Sequence, residues 1–95
     1  MRKYELMFIL RSDLEQEAID AVQERIAGII QNGGEIVKQE VLGKRRLAYE
    51  IRKQREGIYV VYQFNAPPAV VKELDRVLRI TDEVIRHLIV KDIPA

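Results

Sequence analysis

Along this chain, segments with the extended pattern of a β-strand are twice interrupted by a segment whose hydrophobic residues repeat about every 3.6 residues, as in a helix. The order of these segments restricts the folds available to the chain. Extended segments are predicted at residues 3–10, 35–52, 58–64 and 84–90; the first alternates clearly, whereas alternation does not fix the register of the last. A helix-period segment follows the first and the third of them. The resulting order, β-α-β-β-α-β, predicts an α+β fold of the ferredoxin-like split β-α-β type. Such a fold has a four-stranded antiparallel sheet with two helices on one face.

The strand predicted at 58–64, "IYVVYQF", is apolar on both faces, which is typical of a central strand covered on both sides. Right-handed crossovers also place the first and third strands in the centre of the sheet. The chain has 95 residues, enough for a single domain spanning 1–95 around one core. It contains no cysteine, so the fold cannot depend on disulfides, and a reducing compartment suits it.

Local signals predict where the elements begin and end. Ser12 and Glu15 have capping-box spacing, which predicts the start of the first helix. Gly43 lies in the middle of a long extended run, where a bulge or bend is expected. The stretch "KQREG" (53–57) predicts a hairpin loop, with Gly57 available for a positive φ. Pro68 is suited to the first turn of the second helix.

Few residues of this chain could carry out catalysis. His87, Ser12 and Thr81 are each the sole residue of their type, and Ser12 is better explained as a helix cap than as a nucleophile. There is no second histidine or cysteine to complete a metal site, and no glycine-rich phosphate loop. No apolar run approaches the ~18 residues of a membrane span. We therefore expect a cytoplasmic protein that is not an enzyme, with no cofactor, metal, small-molecule substrate or membrane partner.

The net charge of +1 conceals a strong segregation of charge. Residues 13–24 contain five acids and no base, whereas residues 44–55 contain six bases and one acid. The predicted sheet also has an uncovered face that presents Met7, Ile9, Tyr59 and Val61, and such a face usually marks a partner site. The basic stretch fits either a solvated surface or contact with nucleic acid or an acidic protein. An alternative function is a ligand-sensing or regulatory module that dimerises through its sheet.

Three stretches together are specific enough to indicate a family. They are "RKYE" near the start, "GKRRLAY" (43–49) and "LRITDEVIRHLIVK" (78–91). With them, essentially the whole chain resembles the bacterial small-subunit ribosomal protein S6 family. The resemblance implies a ferredoxin-like structural constituent of the small ribosomal subunit. It also implies binding to 16S ribosomal RNA in the platform, as a heterodimer with ribosomal protein S18.

The resemblance also implies roles for individual residues. The RNA-facing set that it suggests is Arg2, Lys3, Arg79, Arg86 and Lys91, with His87 supporting the contact from its place beside Arg86. The set expected to meet the protein partner lies on the edge strand and the uncovered face: Lys44, Arg45, Arg46, Tyr49, Tyr59 and Val61. On this interpretation the basic stretch is mainly a protein-docking strand, and the RNA surface lies at the other edge of the sheet.

Overall fold

The computed structural model describes residues 2–91 and contains six elements. They are β1 (Arg2–Arg11), α1 (Gln16–Gln31), β2 (Glu35–Ile51), β3 (Gln54–Ala66), α2 (Pro68–Ile80) and β4 (Val84–Lys91). The strands form one antiparallel sheet in the order β2-β3-β1-β4. The predicted element order and the central position of the first and third strands are thereby confirmed.

Both helices pack on one face of this sheet, as predicted. Alternation along β1 and β3 places the same set of side chains towards the helices, and all of them are buried: Tyr4, Leu6, Phe8, Leu10, Ile58, Val60, Tyr62 and Phe64. Two stacked aromatic pairs connect the central strands, with 5.6 Å between the ring centroids of Tyr4 and Phe64 and 6.0 Å between those of Phe8 and Tyr62. The main core therefore lies between the central strands and the two helices.

The helices contribute one apolar stripe each to this core. The buried residues of α1 are Ile19, Val22, Ile26 and Ile30, and those of α2 are Val70, Leu74, Val77 and Leu78. This spacing of three and four residues is what the 3.6-residue period requires of an amphipathic helix. Pro68 occupies the first turn of α2, as predicted, where its missing N–H is not needed.

The predicted start of the first helix is wrong. The residue that caps α1 is Glu15, in an extended conformation, and no side chain makes a capping hydrogen bond there. Ser12 lies farther upstream, and its hydroxyl donates instead to Oε1 of Gln54, 3.3 Å away. The reason is that a turn at Ser12 and Asp13 follows β1, so the serine links the end of that strand to the β2–β3 hairpin.

The predicted hairpin between the second and third strands is present, but the bounds predicted for its loop, 53–57, are wrong. Ile51 already pairs with Gln54, so the loop consists of Arg52 and Lys53 alone, with φ of 49° and 65°. Gly57 lies inside β3 and serves a different purpose. A Cβ atom at this position would collide with the Ile9 side chain and lie 3.3 Å from the Leu10 carbonyl oxygen. Glycine is needed there because the neighbouring strand approaches closely.

The bulge predicted at Gly43 is confirmed. Its φ is 91°, and the β2–β3 register shifts between Val41 and Gly43. Glycine adopts this conformation without the steric conflict that a Cβ atom would cause. Within residues 2–91 no helix is long and apolar enough to cross a membrane.

Candidate functional site

The sheet face opposite the helices is apolar and is not covered by any described element along most of its length. We call it the open face, formed by Met7, Ile9, Tyr59, Val61, Leu88 and Val90. Direct pairing places Ile9 beside Tyr59, and Met7 between Val61 and Leu88. Leu88 and Val90 are 55% and 43% exposed, although both are large apolar residues. The four open-face residues expected from the sequence are thus neighbours, and β4 extends their surface.

One end of the open face is covered by the β2–β3 hairpin. Arg46 pairs with Glu56 and Ile51 with Gln54, so the four residues 47–50 of β2 face only Arg55 of β3. The extra residues let the strand leave the plane of the sheet. We call residues 44–54 the hairpin arm. Its curvature was not expected from the sequence, which predicted an edge strand with one bend at Gly43.

A small second core holds the hairpin arm against the sheet. Leu47 is buried with Ile9 of β1 and Ile85 of β4, and Ile51 and Tyr59 pack around them. A cavity of about 210 Å³ lies beside this cluster, between the arm and the open face. The arm therefore starts from β2 at one edge of the sheet and reaches β4 at the other.

The curved arm brings together residues that the sequence analysis assigned to different surfaces. The Arg86 guanidinium, from the predicted RNA-facing set, donates a hydrogen bond to the hydroxyl of Tyr49, from the predicted partner-facing set. Nη1 of Arg52 also lies 3.5 Å from the Val84 carbonyl oxygen at the start of β4. The two predicted surfaces consequently meet at this end of the molecule.

The predicted RNA-facing residues do not form one cluster. Arg86 lies on the open face, whereas His87, the next residue of β4, pairs with Phe8 on the helix-covered face. Nε2 of His87 lies 2.8 Å from one carboxylate oxygen of Asp75, and the other oxygen lies 3.0 Å from Nη2 of Arg79. The His87 side chain is only 17% exposed. In this structure His87 and Arg79 share one internal carboxylate partner.

The remaining predicted RNA-facing residues lie at the far end of β4. Lys91 pairs with Tyr4, while Arg2 and Lys3 pair with Ala66 and Asn65 at the same end of the sheet. All three are exposed. Lys91 lies five positions after Arg86 along the extended strand, a span of about 17 Å. The predicted set therefore divides into two groups at opposite ends of β4.

The predicted partner-facing cations lie on β2 and in the arm. Lys44, Arg45 and Arg46 are exposed and pair in register with Ile58, Gly57 and Glu56. Within residues 2–91, none of these three has an ion-pair partner. Elsewhere in the same range, Lys38, Arg76 and Arg79 are paired with acids. Positive charge without internal compensation is therefore concentrated near the arm.

Two features of this region escaped prediction from the sequence. The first is Asp75, whose four-residue spacing from Arg79 on a helix gave a usable signal for the ion pair. The second is the positive φ of Arg52 and Lys53, which no local pattern indicates because these residue types rarely adopt it. In the described part of the chain, no three His, Cys, Asp or Glu residues are grouped so that they could hold a metal ion.

Comparison with known proteins gives one consistent result. The sequence model of the family Ribosomal protein S6 matches residues 3–91. The small ribosomal subunit protein bS6 of Clostridium kluyveri is 53% identical over 93 residues, which cover 97% of this chain and 98% of that protein. The bS6 of Moorella thermoacetica is 50% identical over 92 residues, covering 96% and 94%.

A solved structure is similar in fold as well as in sequence. The crystal structure of the 30S ribosomal protein S6 from Thermotoga maritima superposes with a TM-score of 0.89. The two sequences are 37% identical, and the alignment covers 95% of this chain and 86% of that one.

Proposed function

The chain belongs to the ribosomal protein S6 family of the small ribosomal subunit, and on this premise we propose that it binds 16S ribosomal RNA as a heterodimer with ribosomal protein S18. Its role is structural and involves no catalysis, and its place of action is the cytoplasmic ribosome. Family membership favours this function over a ligand-sensing module that dimerises through its sheet.

The observation that carries this function is the open face next to a basic, curved arm. Leu88 and Val90 expose apolar side chains there, although the sheet has a complete core on its other face. Exposed apolar surface of this kind suits contact with another protein. Cations that lack internal partners suit contact with phosphates, because each contact releases a bound counterion from the nucleic acid. The two kinds of surface adjoin at Tyr49 and Arg86.

The protein partner is proposed to meet the arm and the adjacent part of the open face. Tyr59 and Val61 supply apolar contact area at the centre of the sheet, and Tyr49 extends it along the arm. Lys44, Arg45 and Arg46 lie at the rim, where charges influence orientation and association rate more than affinity.

The RNA is proposed to contact the residues along β4 and beside it. Arg86 has an exposed guanidinium close to the arm, and Arg2, Lys3 and Lys91 form the group at the other end. Arg79 and His87 are held by Asp75, so their role is to present a fixed surface on the α2 side. Contacts of this sort recognise backbone position and shape and do not read base sequence.

Sedimentation of the tagged protein from a lysate tests the function as a whole. We expect the protein to migrate with small subunits and to remain bound at moderate salt. Migration at the top of the gradient, with a ligand-dependent change in oligomeric state, would support the sheet-dimerising alternative.

Two variants, the first with a matched control, test the residue assignments separately. Arg86→Ala should weaken binding of the heterodimer to a platform RNA fragment, whereas Tyr49→Phe removes the same hydrogen bond but keeps the charge and should bind normally. Tyr59→Ala combined with Arg46→Glu should prevent association with the protein partner while circular dichroism remains unchanged. Unchanged RNA affinity in the first case, or normal heterodimer affinity in the second, would contradict the corresponding assignment.

A further inference from the structure

The loop of the β2–β3 hairpin has an unfavourable sequence for its conformation. Two-residue hairpin loops with positive φ at both positions favour Asn-Gly, Asp-Gly or Gly-Gly, because side chains with bulky Cβ substituents are disfavoured in that region. Here the two positions are Arg52 and Lys53, with φ of 49° and 65°. Elsewhere the chain uses glycine for positive φ, at Gly33 and Gly43. The loop therefore retains two long basic side chains in a strained conformation.

The charges of this loop are not used inside the protein. Arg52, Lys53 and Arg55 are exposed, and within residues 2–91 none of them forms an ion pair. The contact that Arg52 makes is a long one, from Nη1 to the Val84 carbonyl oxygen, and it places this arginine at the start of β4. Val84 is only two residues from Arg86, so the loop and Arg86 lie at one end of the sheet.

The side chains of the loop favour an anion over an apolar partner. Residues 52–56 read Arg-Lys-Gln-Arg-Glu and contain no apolar residue that could anchor a protein interface. Phosphate binding requires only accessible cations, and guanidinium groups can donate to two phosphate oxygens at once. The loop also extends beyond β1, whose last paired residue, Arg11, lies opposite Gly57. An exposed basic loop at this end of the sheet can approach an RNA backbone.

We propose that Arg52 and Lys53 form an RNA phosphate-binding tip, continuous with Arg86, and that the chain retains the strained loop for this purpose. The inference rests on the proposed function and adds a contact that the RNA-facing set predicted from the sequence does not contain. It also gives the hairpin arm two roles, with apolar residues holding it on the sheet and its tip reaching the RNA.

The test exchanges the loop for the sequence that its conformation favours. Arg52→Asn with Lys53→Gly should raise the urea midpoint of unfolding, because the strain is relieved. In the heterodimer, the same variant should bind a platform fragment of 16S RNA about tenfold more weakly, with a log-log salt slope smaller by about 1.5. The matched control is Arg25→Gln with Lys72→Gln, which removes two exposed cations from the helices and should leave affinity and slope nearly unchanged. Arg52→Lys with Lys53→Arg keeps both charges and should bind normally.

Gain of stability together with loss of RNA affinity would support the phosphate-binding tip. Affinity and slope equal to those of the helix control would overturn it, and so would a lowered urea midpoint. Weaker association with S18 but unchanged RNA binding by the preformed heterodimer would assign the tip to the protein partner and overturn the inference. Absence of RNA binding by the unsubstituted heterodimer would overturn the proposed function as well, so the two failures are distinguishable.

Discussion

The two sides of β3 are paired in very different ways. On one side β1 and β3 pair from Arg2–Ala66 to Arg11–Gly57 without any register shift. On the other side the β2–β3 pairing shifts at three places, the largest of them in the arm. The regular side holds the main core. The irregular side has residues with positive φ, cations without ion-pair partners within residues 2–91, and three exposed apolar side chains on β2, those of Val37, Val41 and Tyr49. On the function proposed above, stability and binding would be served by different parts of one small sheet.

The largest effect is expected from the regular side. Phe8 is fully buried and stacks on Tyr62, so Phe8→Ala should lower the free energy of unfolding by about 4 kcal/mol. This is a large share of the total stability of a domain of this size. Urea unfolding followed by circular dichroism measures the loss. A loss smaller than that of the arm variant Leu47→Ala would invalidate the division between the two sides.

Substitutions of Gly57 and Gly43 test the same comparison between the two sides of β3. Gly57→Ala should destabilise by about 3 kcal/mol because its Cβ would collide with Ile9 between regular strands. Gly43→Ala should cost only about 1 kcal/mol, since its φ is unfavourable but no atom lies within 4 Å of the added Cβ.

Gly28 supplies the control for both glycine variants. It lies in α1 with open space around it, so Gly28→Ala should stabilise the protein by about 0.5 kcal/mol. Urea midpoints measured for the three proteins should therefore fall in the order Gly28→Ala, Gly43→Ala, Gly57→Ala. Inversion of the last two would show that the bulge of β2 tolerates less change than the β1–β3 pairing.

The burial of Tyr62 on the helix-covered face predicts that the stability of the protein depends on pH. Burial raises the pKa of Tyr62 to about 12, above its ordinary value of 10.0. The unfolded chain therefore loses this proton at lower pH than the folded one. The resulting stability, of order 2 kcal/mol, is fully present below pH 10 and is lost as pH rises towards 12. Unfolding midpoints between pH 9 and pH 12 measure it, and Tyr62→Phe should remove this part of the decline. An identical decline in both proteins would show that Tyr62 is not its source.

A small loss of global stability is expected from a substitution in the arm. Leu47→Ala should lower the free energy of unfolding by about 1 kcal/mol, less than is usual for a buried leucine, because its cluster is small and lies at one end of the sheet. Amide hydrogen exchange should nevertheless become much faster over residues 47–54 and stay unchanged in β1. Equal acceleration in β1 and the arm would show that the two sides unfold as one unit.

The fold was predictable because it follows from periodicity. Alternation in β1 and the doubly apolar strand at 58–64 determine the central pair, and the 3.6-residue stripes determine which face of each helix packs on the sheet. The hairpin loop was not predictable in the same way. In the sequence Gly57 resembles a turn residue. In the structure it leaves room for the Ile9 side chain, and this contact joins two strands that are far apart along the chain.

The sequence predicted which residues form the open face, but not which side chains of the candidate site contact one another. The open-face residues Met7, Ile9, Tyr59 and Val61 follow from strand alternation, which is a local property. The contact between Tyr49 and Arg86 depends on the excess residues in β2 that curve the arm, and no local pattern specifies their path. The contact of Asp75 with His87 likewise depends on how α2 lies against β4, whereas its pair with Arg79 follows from helical spacing.

Amide hydrogen exchange of the free protein and of the protein assembled in the small subunit is the most direct test of the division between the two sides. Exchange should slow on assembly over the hairpin arm and over β4, where the open face and the unpaired cations lie. Residues of α1 and of the β1–β3 centre should change little, since their protection is already supplied by the core. Slower exchange confined to the outer surface of α1, with the arm unchanged, would contradict the account.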